Sequence, residues 1–298
     1  MILSLGYLFY TIYTHQSLPA FMQQITRIPA SNTLWLIPVI ILLPLNLYLE
    51  SLKWQFTLTH TQAISIRESF RSVLAGMASG FMTPNRIGDI FGRILYLKKE
   101  NYKAGVTLST ITSLTKNLAI LIPGIPAAIY FFLSTNTQIP VSSDKLILTY
   151  LLSFILITGA LLLMPYFTGR ITNPGIMQYI RGIRNFSTGE LFKITLISVC
   201  RVAVFSFQLW LMLRYFGAEP GIIASLTAIP ASWLFITFTP SLALTEGIVR
   251  SSWVMFFIGH YNNYHPGVML AGFTLWLINV VIPVMAGSYF FIRGKKGI

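Results

Sequence analysis

The sequence predicts an all-α, polytopic membrane protein, and its composition and the lengths of its apolar segments support that prediction. Charged residues account for 10% of the 298 residues and hydrophobic residues for 54%, whereas a typical soluble domain has about 25% charged residues. So little polar surface cannot cover a water-soluble globule, and lipid must therefore solvate much of the chain. We expect one integral-membrane domain over residues 1–298, a helix bundle of about eight spans or hairpin equivalents.

Apolar segments divide the chain into candidate spans of unequal length. They fall at 1–14, 34–52, 69–82, 104–133, 145–167, 191–214, 222–238, 246–259 and 267–292. A helix needs about 20 residues to cross a bilayer, and the segments that begin at 34, 104, 145, 191 and 267 are long enough. The segments 69–82 and 246–259 are too short, so we expect each to belong to a re-entrant hairpin.

The distribution of basic residues predicts the sidedness of these segments. The chain has 21 Lys plus Arg against 8 Asp plus Glu, a net charge of +13, which in a soluble protein would suggest a nucleic-acid partner. Here the basic residues cluster in short connections between apolar segments, as the positive-inside rule describes, so no nucleic-acid partner is expected. Both termini are then predicted to be cytoplasmic, and the protein to be a multi-pass protein of the cell membrane.

Two hairpins are predicted to enter the membrane from opposite sides. The first has arms of about 69–82 and 88–97 between basic flanks, and the second covers 222–259 between connections that lack Lys and Arg. The chain then forms two repeats of inverted topology, about 1–133 and 145–292. Inverted repeats with broken helices near the midplane are a recurring transporter design.

A shared Thr-Pro motif supports the pairing of the two hairpins. It occurs as Thr83-Pro84 in the first tip, where Gly88 follows it, and as Thr239-Pro240 in the second. Because proline lacks a backbone N–H and restricts the residue before it, each Pro is expected to break a helix where the chain turns. These five residues are therefore predicted to be structural hinges.

Each Thr-Pro motif is followed by an acid and, four residues later, by an arginine. The pairs are Asp89 with Arg93, and Glu246 with Arg250. The two side chains share a helix face and can pair, which lowers the cost of carrying either charge into the membrane. A structural salt bridge on a loop is the alternative, but two copies in corresponding places favour a functional role. We expect the two tips to meet near the midplane and to line a polar cavity.

Further ionisable residues lie inside long apolar segments. Glu50, Lys116 and Arg201 each cost roughly 2.5–3.5 kcal/mol on insertion scales and should face the bundle interior, although Glu50 could simply pair with Lys53. Cations then outnumber acids in the predicted site: Arg86, Arg93, Lys116, Arg201 and Arg250 against Glu50, Asp89 and Glu246. Such a surplus suits an anionic guest, for example a phospholipid head group.

The remaining signals predict packing or the lipid interface. Gly76 and Gly80 form a Gly-x-x-x-Gly pair, for which close helix packing is the default interpretation. His260 and His265 have a spacing that is poor for metal binding, so neither a metal nor a cofactor is predicted. Three further residues are assigned to packing or to lipid: Cys200 as a small buried residue, and Trp233 and Trp253 as lipid-facing or interfacial aromatics.

At these motifs the chain resembles the transmembrane, flippase-like region of the lysylphosphatidylglycerol synthase family over nearly its whole length. The resemblance rests on LESLKWQ, which contains Glu50, Lys53 and Trp54, on TPNRIGDIFGR, and on TPSLALTEGIVRSS. The last two look most like the stand-alone bacterial branch. Many members carry a Glu-Arg pair followed by Asp on the span after the first motif, where this chain has Lys116 and Asn117. If those acidic positions serve transport in the family, a different head group is expected for this chain.

The resemblance implies a bacterial inner-membrane protein that moves lipid across the bilayer. In the full-length synthases a soluble domain makes the aminoacylated lipid, and this chain, which stops at Ile298, is not expected to synthesise it. The expected partners are a membrane phospholipid or lipid-linked substrate, and a second copy or a separate lipid-modifying enzyme. Two other functions stay open, namely an enzyme with Asp89 or Glu246 as general base, and a scaffold that transports nothing.

Overall fold

The computed structural model describes residues 29–136, 186–261 and 265–294, and all regular secondary structure in these ranges is helical. The α-helices of these ranges are α1 (Thr33–Thr57), α2 (Ile66–Phe81), α3 (Asp89–Ile94), α4 (Tyr102–Asn136), α5 (Thr188–Tyr215), α6 (Ile222–Phe238), α7 (Ala243–Ile258), α8 (His265–Trp276) and α9 (Ile282–Gly294). The π-helix Leu277–Val281 joins α8 to α9. The predicted all-α class is confirmed. The predicted segments 1–14 and 145–167 lie outside the described residues.

Four stretches of the described residues are long and apolar enough to cross a membrane. They are Thr33–Thr57, Lys99–Ser134, Thr188–Tyr215 and Pro266–Gly294. These correspond to the spans predicted to begin at 34, 104, 191 and 267. The protein is therefore a polytopic helical membrane protein, while its membrane side and the position of its termini stay predictions.

The first predicted hairpin is formed by α2 and α3. A capping box begins α2: the Ser65 backbone N–H and hydroxyl both donate to the Glu68 carboxylate, and the Glu68 N–H donates to the Ser65 hydroxyl. The hydrogen bond from the Ser65 backbone is the main reason why the pKa of Glu68 is lowered. A short 3₁₀ turn, Pro84–Arg86, separates the arms. The helix break thus lies where the Thr83-Pro84 dipeptide predicts it.

The second predicted hairpin is formed by α6 and α7, which pack against each other. Both helices are short, with 17 and 16 residues. Thr239 ends α6, and Pro240 lies in the non-helical connection before α7. The predicted hinge positions therefore coincide with helix breaks in both hairpins, although entry of either hairpin from one membrane side stays a prediction.

The described residues divide into two units that interleave along the chain. The Glu50 unit consists of 45–122, 186–203 and 282–294, and the Glu246 unit consists of 29–44, 123–136, 204–261 and 265–281. Each unit takes residues from both halves of the sequence. The division therefore does not follow the proposed repeats 1–133 and 145–292, and the inverted repeat stays a prediction.

In the Glu50 unit the backbones of α2 and α9 approach each other closely. A side chain added at Gly287 of α9 would collide with the backbone carbonyl of Leu74 on α2, so glycine is required where these helices cross. An apolar core lies in the same unit and consists of Trp54, Leu58, Ile64, Val73, Ile94, Leu97, Leu108, Ile111, Phe186, Leu191 and Ile194. The hairpin is thus fixed between a core and a neighbouring helix.

Aromatic packing and one buried polar pair characterise the Glu246 unit. The Phe257 ring packs against two others: its centroid lies 4.8 Å from that of Phe131 and 5.1 Å from that of Phe235. The Asn279 amide of the π-helix donates to Gln208 Oε1 over 3.1 Å, and the Gln208 amide donates to the Val39 carbonyl over 2.9 Å. The two amides are linked inside an apolar environment, while the Asn279 side-chain oxygen is buried without a donor among the described residues.

Two of the packing assignments were wrong. Trp233 is buried, with 8% of its surface exposed, rather than facing lipid, because its indole N–H donates to the Ser206 hydroxyl and its ring packs beneath Arg250. Cys200 is exposed on α5 rather than buried. Apolar character alone does not tell which helix face is turned inward when most faces of a helix are apolar.

Candidate functional site

The tip of the first hairpin is closed by the Thr83 side chain. Its hydroxyl donates to the Gly80 carbonyl over 3.1 Å and accepts the Gly88 N–H over 2.7 Å. Arg86, which ends the 3₁₀ turn begun by Pro84, has a positive φ of 58°. Such a backbone conformation is strained for a residue with a side chain and is concentrated at functional sites.

Glycines allow the two arms of this hairpin to touch. A side chain at Gly76 would come within 2.5 Å of Asp89 Oδ1, and one at Gly80 within 3.2 Å of the Asp89 backbone nitrogen. Across the interface, a side chain at Gly88 would collide with the Ser79 carbonyl. The packing role predicted for Gly76 and Gly80 is confirmed, and its effect is to press the Asp89 carboxylate against α2.

A buried carboxylate, Glu50, is the centre of the charged cluster in the Glu50 unit. Its Oε2 accepts from Lys53 Nζ over 2.9 Å and from Arg201 Nη1 over 2.7 Å, and its Oε1 accepts from Arg93 Nη2 over 2.7 Å. The side chain of Glu50 is 5% exposed. One acid on α1 therefore joins three cations, which come from α1, α3 and α5.

The cluster extends outward from both arginines. Arg93 Nε donates to Asp89 Oδ2 over 2.8 Å, so Arg93 bridges the two acids Asp89 and Glu50. Arg201 Nε donates to Asn46 Oδ1 over 2.7 Å. We call this connected set, which consists of Asn46, Glu50, Lys53, Asp89, Arg93 and Arg201, the ion cluster.

Two donor groups of the ion cluster are buried and have no hydrogen-bond acceptor among the described residues. They are Arg93 Nη1 and Asn46 Nδ2. Arg93 is 5% exposed and Asn46 is 2% exposed. Buried unsatisfied donors are costly, because each has lost its hydrogen bonds to water, and such groups commonly mark a functional position.

Lys116 and Arg86 add positive charge beside the ion cluster. Lys116 interacts electrostatically with Arg201, Glu50, Arg86 and Asp89. Its side chain is exposed, unlike the buried side chain expected from its position in the span. With these two residues the site holds five cations (Lys53, Arg86, Arg93, Lys116 and Arg201) against two acids (Glu50 and Asp89), a net charge of +3. This unit therefore carries a positive surplus, but its residues differ from the predicted set: Lys53 belongs to it, whereas Arg250 and Glu246 lie in the other unit.

The second acid–arginine pair lies in the Glu246 unit. Arg250 donates to Glu246 Oε1 from both Nη2, over 2.8 Å, and Nε, over 3.1 Å. Glu246 is 8% exposed, and the guanidinium carbon of Arg250 lies 5.7 Å from the Trp233 ring centroid. Trp253 donates to the Thr239 hydroxyl over 2.9 Å, which ties the hinge to α7. Whether this pair and the ion cluster line one cavity, as expected for two meeting tips, stays a prediction.

The sequence matches the model of one known protein family. A family model described as the lysylphosphatidylglycerol synthase TM region matches residues 1–243. The chain belongs to this family. No curated protein and no solved structure matches it.

For this lysylphosphatidylglycerol synthase TM-region protein, the matched range contains the whole ion cluster. It includes the Thr83-Pro84 and Thr239-Pro240 hinges and ends at residue 243, just before Glu246 and Arg250. Within the described residues, no group of three or more His, Cys, Asp or Glu side chains is placed to hold a metal ion.

Two tryptophans belong to the charged sites of this family member, and sequence reasoning did not assign them there. Arg93 lies over Trp54 at 5.5 Å, and the Trp54 indole N–H donates to Ser72 over 2.9 Å. In the other unit Arg250 lies over Trp233, whose N–H donates to Ser206 over 3.1 Å. Each motif arginine therefore has an acid at its end and an indole at its face. Asn46 was missed as well, since a lone amide in an apolar helix gives no spacing signal.

Proposed function

We propose that this protein is a lipid translocase and that the ion cluster, with Lys116 and Arg86, binds the phosphate of an anionic phospholipid or lipid-linked head group. The acyl chains stay in the bilayer while the head group crosses. An unaided charged head group meets a large desolvation penalty in hydrocarbon. A site that supplies donors and positive charge within the membrane lowers that barrier.

The observation that carries the proposal is the net positive charge of a site that also holds unsatisfied donors. Glu50 compensates part of the charge of three cations, which keeps Lys53, Arg93 and Arg201 oriented. The surplus of positive charge favours an anion, and guanidinium groups bind phosphate oxygens in a fork geometry. The unsatisfied Arg93 Nη1 and Asn46 Nδ2 are donors of the kind that a phosphate oxygen accepts from.

The contacts of the two candidate general bases favour transport over catalysis. Asp89 accepts from Arg93, and Glu246 accepts from Arg250. Each carboxylate would have to leave its guanidinium partner before it could take a proton from a substrate, because a general base must lie within hydrogen-bond reach of that proton. The acids therefore serve best as internal counter-charges that orient the arginines.

Transport can be tested with purified protein in vesicles that contain fluorescent phosphatidylglycerol. Movement of the label between leaflets is followed by chemical quenching of the outer leaflet, with and without an imposed pH gradient or membrane potential. We expect wild-type protein to move phosphatidylglycerol faster than protein-free vesicles and faster than it moves phosphatidylcholine. Mass spectrometry of the recovered lipid should show an unchanged mass, since a changed mass would identify an enzyme instead.

Lys116→Gln is the sharpest variant, because its side chain is exposed and its removal breaks no ion pair of the cluster. We expect it to slow anionic lipid movement about tenfold, which corresponds to about 1.4 kcal/mol of barrier. Lys103→Gln on the same helix is the matched control, since it removes an exposed lysine near the start of α4. Wild-type protein that moves no lipid under any gradient, or equal slowing by both variants, would contradict the proposal.

A further inference from the structure

A basic cavity separate from the ion cluster lies in the Glu50 unit. It has a volume of about 740 Å³. Residues 95–99, which follow α3, and residues 289–294 at the end of α9 contribute to its walls. Four cations line it: Arg71, Lys98, Lys99 and Arg293. A cavity of this size accommodates a small ligand or a lipid head group.

The charge of this cavity is one-sided. No Asp or Glu is among the lining residues that the structure describes, and the four cations among them carry a charge of +4. Glu68 acts electrostatically on Arg71, but its carboxylate is engaged by the Ser65 capping box and does not line the cavity. Four like charges around one space repel each other, and an anion bound among them would relieve that repulsion.

Hydrogen bonds connect the segments that line the cavity. The Tyr96 hydroxyl donates to the Phe290 carbonyl over 2.8 Å, which joins the hairpin to α9. Gln62 Oε1 accepts the Lys98 N–H over 2.9 Å, and this fixes the backbone that carries the two lysines. Burial raises the pKa of the Tyr96 hydroxyl, so it remains a protonated donor over the neutral pH range.

The two sides of the cavity come from segments for which the same membrane side is predicted. Basic flanks place both the Lys98–Lys99 segment and the Arg293 end of α9 in the cytoplasm by the positive-inside rule. The structure joins these segments in one cavity. The cavity is also lined by Tyr96, Tyr102 and Tyr289, and tyrosine is enriched at the head-group level of membranes. The location therefore fits the head-group region of one leaflet.

We propose that this cavity binds a phosphate-bearing anion, which the head group of an anionic phospholipid supplies from the adjacent leaflet. Anionic lipids attract clustered Lys and Arg at the cytoplasmic surface. The four cations neutralise the phosphate, and the tyrosine hydroxyls and Gln62 can contact its glycerol or sugar oxygens. A soluble phosphate would share the same chemistry. The inference does not depend on lipid movement, because binding here requires only access from the surface.

Site-directed labelling tests this inference on the full chain in a neutral detergent. The probe is a short-chain phosphatidylglycerol that carries a diazirine beside its head group, and mass spectrometry locates the cross-linked peptides. We expect labelling of the segments 95–102 and 289–294, competition by unlabelled phosphatidylglycerol, and no competition by phosphatidylcholine. If inorganic phosphate competes at the same concentration as the lipid, the phosphate chemistry stands and the ligand is a soluble phosphate.

Charge-matched variants separate this cavity from general attraction to a basic protein. Lys98→Gln with Lys99→Gln removes two lining cations, and we expect it to reduce labelling of the cavity segments about tenfold. Arg67→Gln with Lys103→Gln removes two exposed charges that do not line the cavity and should leave labelling unchanged. Equal loss in both double variants, or labelling that is absent from both segments, would overturn the inference. Lys116→Gln should keep full labelling, so failure of the transport proposal is distinguishable from failure of this one.

Discussion

The two acid–arginine motifs have the same spacing in the sequence but different electrostatic surroundings. Arg93 contacts two carboxylates, those of Asp89 and Glu50, and its side chain is 6% exposed. Arg250 donates twice to one carboxylate oxygen, that of Glu246, and is 20% exposed. Both arginines lie over a tryptophan ring at nearly equal distances, 5.5 Å and 5.7 Å. The local arrangement is repeated, while the charges around it are not.

This difference teaches that an i,i+4 pair does not reveal how strongly its charges are coupled to the rest of a protein. The pairing within each motif follows from helix geometry. Coupling to a third group requires another helix to supply it, as α1 supplies Glu50 to Arg93. We therefore expect charge substitutions at Arg93 and Glu50 to affect stability more than those at Arg250 and Glu246.

The largest difference is expected for Glu50→Gln against Glu246→Gln. Loss of the Glu50 charge leaves three buried or partly buried cations without their shared partner, and unpaired buried charges cost about 3–5 kcal/mol. Glu246→Gln weakens the pair with Arg250, which is partly exposed, and should cost about 1–2 kcal/mol. Thermal unfolding in detergent measures both. Adding Lys53→Met to Glu50→Gln should restore part of the stability, and equal losses for the two single variants would refute the comparison.

A smaller difference is expected when each arginine is replaced by lysine. An ammonium group cannot reach two carboxylates as the forked guanidinium does, so Arg93→Lys should lose about 2 kcal/mol of stability. Arg250→Lys keeps a pair with one acid and should lose less than about 1 kcal/mol. The same unfolding measurement applies. The opposite order would mean that Arg93 is not the more strongly coupled residue.

Glycine substitutions should distinguish the stability lost through overpacking from the effect of displacing a charged side chain. Gly76→Ala places a methyl group 2.5 Å from Asp89 Oδ1, whereas Gly247→Ala places one 2.7 Å from the Trp276 ring. Each should cost about 1–3 kcal/mol through overpacking. Only Gly76→Ala should also slow anionic lipid movement, because it displaces a charge of the ion cluster. Gly189→Ala is the control, since a methyl group there meets nothing within 4 Å, and no loss is expected from it.

The smallest effects, and the ones expected to be equal, concern the two tryptophans. Trp54→Phe and Trp233→Phe each remove one indole hydrogen bond to a serine and weaken one contact with an arginine. Each should cost about 1 kcal/mol. A loss that is several times larger at one position would show that the two arginine–indole arrangements are not equivalent.

The sequence predicted the long spans because hydropathy over about 20 residues reflects a physical requirement of the bilayer. It also predicted the helix breaks at Thr83-Pro84 and Thr239-Pro240, since proline acts on its own backbone and needs no distant partner. The suggested pairing of Glu50 with Lys53 was correct but incomplete. The sequence assigned Arg93 and Arg201 to the predicted site but could not show that they contact Glu50, because they lie 43 and 151 residues from it in the chain.

Residues with no local pattern were beyond the reach of the sequence. Asn46 and Trp54 join the charged site through contacts with other helices, and Trp233 was assigned to lipid although it packs beneath Arg250. In a helix that is apolar on nearly every side, no periodic pattern identifies the inward face. The exposed side chain of Lys116 and the basic cavity at Arg71 likewise depend on how helices pack.

By itself, the sequence determined that this protein is a membrane-embedded helical bundle with two proline-broken hairpins, because hydrophobic length, proline geometry and i,i+4 spacing act within short stretches of chain. Only the tertiary structure decided that Glu50 gathers three cations and that Arg71, Lys98, Lys99 and Arg293 surround one cavity. The physical reason is that charge interactions act over a few ångströms in space, and the distance between two side chains is set by the packing of helices that are far apart in sequence.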